Sequence, residues 1–106
     1  MVVPYAHVAN LEELPDETLA ELTALSRDAA KRLRQVYRPE GLNLGMNLGK
    51  CAGAGIAGHL HMHILPRWTG DTNFMTVVGE TRVLPEELET TWERLRTAWS
   101  GPPGQP

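Results

Sequence analysis

The chain has 106 residues, a length that suits one small domain and not two, and it carries a formal net charge of -3. Its 10 basic and 13 acidic side chains are interspersed, so no basic patch tracks a nucleic-acid backbone, and no apolar run reaches membrane-spanning length. A single cysteine, Cys51, excludes an intramolecular disulfide and points to a reducing compartment; with no signal-peptide core expected in "MVVPYAHV", the expectation is a cytoplasmic protein.

The opening "VVP" reads as a short strand. Residues 14 to 37, "LPDETLAELTALSRDAAKRLRQVY", predict a helix, because Leu19, Leu22, Leu25, Ala29, Leu33 and Val36 recur at three or four residues as one apolar stripe. Glu12, Glu13, Asp16 and Glu17 crowd its start, while Lys31, Arg32, Arg34 and Arg38 crowd its end, as the helix dipole favours. Pro39 and Gly41 stop it. "LNLGMNLG", residues 42 to 49, alternates apolar residues with Asn and Gly and predicts a second strand, weakened by its glycines. "KCAGAGIAG", residues 50 to 58, is then a turn.

The turn leads into "GHLHMHILPRW", residues 58 to 68, where His59, His61 and His63 alternate with Leu60, Met62 and Ile64. On a strand this spacing puts the three imidazoles on one face and the three apolar residues on the other; on a helix it forms no stripe. A strand is therefore predicted. A further strand is read in "NFMTVVGE", residues 73 to 80, and a last helix in "PEELETTWERLRTAW", residues 85 to 99, with Leu88, Trp92, Leu95 and Trp99 as its core stripe. The tail "SGPPGQP", residues 100 to 106, is expected to be disordered, leaving one domain over residues 1 to 99. Strand, helix, three strands, helix predicts an α+β domain: an antiparallel meander with its helices on one face.

Three chemistries compete for the histidines. Solvated side chains without a role are one reading, and it is the one given to His7. Metal binding is the second, yet His59 and His63 lie about 13 Å apart on a strand, and Cys51, Asp71 and Glu80 stand at no recognisable ligand spacing. Nucleophilic catalysis is the third: a neutral imidazole attacks an electrophilic phosphorus when its other N–H is held by an acceptor, and neighbouring imidazoles assist the oxygens. His61 has a partner on either side, which makes it the natural nucleophile. Just upstream, "GAGIAG", residues 53 to 58, offers unshielded backbone N–H groups of the kind that bind anions, or is simply a tight turn. "GMNLGKC" is not a P-loop, since Cys51 stands where a hydroxyl would hold magnesium. Trp68 is a candidate for stacking on a base or for packing, and Arg67 for a phosphate or for solvent.

The run from Asn43 to Trp68, "NLGMNLGKCAGAGIAGHLHMHILPRW", resembles the signature of the histidine triad (HIT) superfamily, H-φ-H-φ-H-φ-φ with φ apolar. Pro66, Arg67 and "GDTNFM", residues 70 to 75, are similar to the actinobacterial diadenosine tetraphosphate phosphorylase and hydrolase branch. The resemblance implies an α/β-meander, a homodimer, and nucleotidyl transfer from nucleoside polyphosphates through a nucleotidyl-histidine. No bound metal or cofactor is implied; a divalent cation such as Mg2+ would come with the substrate. The resemblance assigns His61 as the residue that is nucleotidylated, and His63 and His59 as its catalytic neighbours. Asn47, Gly53, Ala54, Gly55 and Ile56 become the nucleotide and phosphate site. Many members carry glutamine where this chain has Gly55, so that side-chain contact to phosphate is either replaced by backbone N–H groups or lost. The chain also resembles a domain lacking its usual N-terminal strands, and a catalytically inactive nucleotide-binding form is the alternative that follows.

Overall fold

A computed structural model describes residues 1–56, 58–71 and 86–100. The fold is α+β. Helix α1 spans Asp16–Tyr37, strand β1 Gly41–Gly45, strand β2 His63–Arg67 and helix α2 Leu88–Trp99, with short 3-10 turns at Leu11–Glu13 and Lys50–Ala52. Among the described residues the sheet has two antiparallel strands, in register from Gly41 opposite Arg67 to Gly45 opposite His63. The predicted strand over residues 73 to 80, Pro85 and the tail from 101 onward lie outside the described residues.

Helix α1 begins where Pro15 accepts from the Leu19 N–H (2.9 Å), and Asp16 and Glu17 occupy its first turn. It ends on Arg38, which adopts the left-handed conformation (φ 48°) and donates its N–H to the Arg34 carbonyl. Pro39, which cannot continue the ladder, follows. The buried side of α1 differs from the expected leucine stripe. Leu22 and Ser26 are buried, whereas Leu19 and Leu25 are each 38% exposed. The helix turns its Leu22–Ser26 edge inward, and the Ser26 hydroxyl is satisfied by donating to the Leu22 carbonyl at 2.8 Å.

Both predicted strands of the central hairpin are shorter than their alternation suggested. β1 stops at Gly45, and Gly49 takes φ 87° at the entrance to the second 3-10 turn, a conformation that breaks strand pairing. The histidine segment enters the ladder with β1 only at His63. Before that it pairs with the N-terminal residues: Val2 and Met62 form an isolated antiparallel bridge, exchanging N–H···O bonds of 2.9 Å, and the Leu60 N–H donates to the Val8 carbonyl at 2.8 Å. The expected "VVP" strand is thus reduced to one bridge at Val2.

The apolar face of the histidine segment does enter the core. Leu60 is 2% exposed and Ile64 7%, and Leu60 clusters with Leu14 and Leu22, with Val2, Val8, Met46 and Met62 packed around them. Helix α1 packs on both β2 and α2. The α1–α2 contact is made by polar and cation–π pairs rather than by a buried tryptophan stripe. Glu86 accepts from Tyr37, Thr91 and Arg94, and the Arg94 guanidinium lies 4.7 Å from the Tyr37 ring. Trp92 and Trp99 are 61% and 44% exposed, each with an arginine over its ring, which corrects their expected core role. At the end of β2, Arg67 donates to Asp71 and, at 2.6 Å, to Asn43 Oδ1, so its guanidinium closes a turn and is not free for an anion. The same pairing, with the Trp68 N–H, holds the Asp71 carboxyl below the usual carboxylate range.

Leu60 joins the histidine segment to the core, so Leu60→Ala should cost about 2–5 kcal/mol, the range for emptying a buried leucine site. Urea denaturation of parent and variant measures this; a loss below about 1 kcal/mol would show that the cluster around Leu60 does not anchor the segment.

Candidate active site

The histidine segment delivers its three rings to two different places. The His59 ring turns toward the N-terminal residues. Its Nε2 lies 2.8 Å from the Pro4 carbonyl and its Nδ1 lies 3.3 Å from His7 Nδ1, with the two rings edge to face at 5.2 Å between centroids. A carbonyl only accepts, so the His59 Nε2 carries the proton in that contact. Both nitrogens of His59 are therefore engaged away from solvent ligands.

His61 and His63 turn the other way. Their rings stand edge to face at 4.6 Å and line a cleft of about 210 Å3 together with Asn47, Gly53, Ala54, Gly55 and Ile56. The His61 Nδ1 lies 3.0 Å from the His59 carbonyl, which assigns the proton to Nδ1 and leaves Nε2 with the lone pair. The carbonyl that does this belongs to the same peptide as the Leu60 N–H, which donates to Val8. One peptide group is thus bonded at both ends, and donation at the N–H end makes its carbonyl a better acceptor at the other.

His63 is held neutral. Partial burial, and then the proximity of His61, lower its pKa from the ordinary histidine value. Cleft and pair together give one imidazole with a free lone pair beside another that remains uncharged at neutral pH.

The glycine-rich wall is more committed than a simple anion nest. The N–H groups of Ala52 and Ala54 both donate to the Gly49 carbonyl at 3.2 Å, and that of Gly53 donates to Lys50 at 3.0 Å. Gly53 sits at φ 96°, a conformation that a side chain strains, and Asn47 Nδ2 reaches its carbonyl at 3.5 Å. Among the described residues after Ala54, the N–H groups of Gly55 and Ile56 are in no such backbone bond, so the nest expected from Gly53 begins at Gly55.

Seven of the nine anticipated residues, Asn47, Gly53, Ala54, Gly55, Ile56, His61 and His63, meet at this cleft. His59 contributes its carbonyl rather than its ring. Trp68 lies past the far end of β2, where Gly41 pairs with Arg67, about 17 Å along the strand from His63. It does not line the cleft. Sequence alone gives His7 no role, because its partner His59 lies 52 positions away and nothing local marks the pairing. Among the described residues no group of three His, Cys, Asp or Glu side chains is placed to hold a metal ion.

The HIT domain model matches residues 1–70 of this chain. This chain belongs to the HIT domain family. It is 47% identical over 103 residues to a protein of Mycobacterium tuberculosis (strain H37Rv) named AP-4-A phosphorylase, a match covering 97% of this chain and 53% of the relative. It is 27% identical over 95 residues to the adenosine 5'-monophosphoramidase hnt1 of Schizosaccharomyces pombe, covering 90% and 68% respectively. A zinc-bound histidine triad family protein from Mycobacterium smegmatis superposes with a TM-score of 0.69 at 31% identity, covering 91% of this chain and 64% of that one. The chain spans about half the length of the mycobacterial relative just named, with 53% of it covered.

The lowered pKa of His63 has a sign that can be tested. The unfolded chain binds a proton near pH 6.5 while the folded chain does not, so this group makes stability rise with pH between its folded pKa and about 6.5. An NMR titration of the imidazoles should place the His63 midpoint below about 6.5; a midpoint at or above that value would contradict the burial described for it.

Proposed function

We propose that this chain is a nucleotidyl hydrolase or transferase acting on nucleoside polyphosphates such as diadenosine tetraphosphate, with His61 as the nucleophile. The observation that carries the reading is the His61 tautomer: Nδ1–H is spent on the His59 carbonyl, and the ring whose Nε2 lone pair remains lines a glycine-walled cleft. The names of the mycobacterial phosphorylase and the yeast phosphoramidase support the substrate class, since both act on an adenosine phosphate derivative.

In the first step Nε2 of His61 attacks the α-phosphorus. An N–P bond forms, the bond from phosphorus to the departing phosphate oxygen breaks, and that oxygen leaves with the electron pair. The ring becomes a cation, and its Nδ1–H bond to the His59 carbonyl strengthens as charge develops. His63, neutral and in ring contact with His61, donates its N–H to a phosphate oxygen without adding a competing positive charge. The Asn47 amide and the N–H groups of Gly55 and Ile56 hold the non-bridging oxygens. In the second step water, which loses a proton to solvent, or inorganic phosphate attacks phosphorus, the N–P bond breaks, and its pair returns to Nε2. Hydrolase and phosphorylase differ in that acceptor alone.

Intact mass after brief incubation with diadenosine tetraphosphate and a rapid quench tests the reading. The parent should carry one added adenylyl group, and His61→Ala none, with turnover lower on the order of a thousandfold or more. Folded parent that binds the nucleotide, consumes none and carries no adduct would instead establish a nucleotide-binding module without catalysis.

A further inference from the structure

The N-terminal residues 2 to 8 lie along the histidine segment and are joined to it at four points. Val2 bridges Met62, the Pro4 carbonyl accepts from His59 Nε2, His7 Nδ1 meets His59 Nδ1, and the Val8 carbonyl accepts from the Leu60 N–H. The last three all converge on His59 or on the peptide that follows it. His7 also lies over the start of that segment, since a Cβ placed on Gly58 would sit 3.7 Å from its Nε2. The space beside Gly58 is therefore filled by the His7 ring.

From this geometry we infer that His7 is a positioning residue for His61, acting through His59; the inference rests on the nucleophilic role proposed above. Its logic is one of protons. Pro4 fixes the His59 proton on Nε2, so with both rings neutral His59 Nδ1 is the acceptor and His7 Nδ1 must be the donor. Free histidine prefers the opposite tautomer, with the proton on Nε2, so His7 is held in its less common form by this contact. Held at both nitrogens, the His59 ring cannot rotate. Its peptide, tied to Val8 next to His7, keeps its carbonyl aimed at His61 Nδ1. The chain of constraint runs His7, His59 ring, His59 carbonyl, His61 Nδ1–H, and ends on the lone pair at His61 Nε2.

A merely structural His7 would affect stability without moving protons. Nitrogen-15 NMR of the four imidazoles, read at a pH where all are neutral, separates the two. In the parent, His7 and His61 should show protonated Nδ1, and His59 protonated Nε2. In His7→Leu the His59 ring loses its donor, His61 should return to a mixture of tautomers, and adenylylation should slow about tenfold with nucleotide affinity little changed. In His7→Asn the side-chain amide nitrogen replaces Nδ1 as donor and should restore both the His61 tautomer and the rate.

Three results would overturn the inference. The first is a His7 that carries its proton on Nε2 in the parent. The second is a His61 tautomer unchanged in His7→Leu, and the third is a His7→Asn no better than His7→Leu. The parent spectrum decides even if His7→Leu fails to fold. Absence of any adduct in the parent would sink the nucleophilic reading, whereas the tautomers would still report on His7.

Discussion

The peptide link between His59 and Leu60 is the constraint on which the site depends. Its N–H is donated to Val8, its carbonyl receives Nδ1–H of His61, and the side chains on either side of it point to opposite fates. Leu60 goes into the core at 2% exposure, and His59 goes to the N-terminal residues. A peptide bonded at both ends and anchored by both flanking side chains has no freedom left to rotate. The imidazole that depends on it inherits a defined tautomer. For the nucleophilic role proposed for His61 this matters more than acidity, because attack needs an unprotonated nitrogen facing phosphorus at neutral pH.

The packing behind that peptide explains why the chain arranges itself this way. Among the described residues, a small cluster of Leu14, Leu22 and Leu60 holds α1, the loop before it and the histidine segment together. The remainder of α1 is joined to α2 by hydrogen bonds and stacked guanidinium groups at the surface, and the turn after β2 is closed by Arg67 with Asp71 and Asn43. Apolar burial therefore fixes the position of the site, while polar contacts fix the elements on either side of it. The division suits a short chain, in which the buried apolar area available is limited.

Much of this was legible in the residues themselves. Alternation at residues 59 to 64 placed Leu60 and Ile64 inward, the run of periodic leucines located α1, and the clustering of Asn47 and the Gly53 to Ile56 wall with His61 and His63 followed from the family signature. Local spacing carries such information because neighbours in sequence share an element. What could not be read depends on partners distant along the chain. His7 reads as an ordinary histidine until the fold brings it to His59, and the outward turn of the His59 ring follows from Pro4 and His7 rather than from the strand period. Trp92 has the spacing of a core residue, but α2 meets α1 through Tyr37, Glu86 and Arg94, which leaves the indole outside. Ser26 was overlooked because apolar periodicity does not register a small hydroxyl that caps its own need on Leu22.

The central claim is that phosphorus is transferred to His61 and then away from it, two displacements at one centre. The most direct measurement is the stereochemical course at phosphorus, using a substrate with a chiral α-phosphorothioate and an isotopically labelled acceptor oxygen. Each in-line displacement inverts the centre, so two of them give net retention, and retention is the predicted result. Net inversion would mean that the acceptor attacks phosphorus directly, and that His61, whatever its tautomer, forms no bond to it.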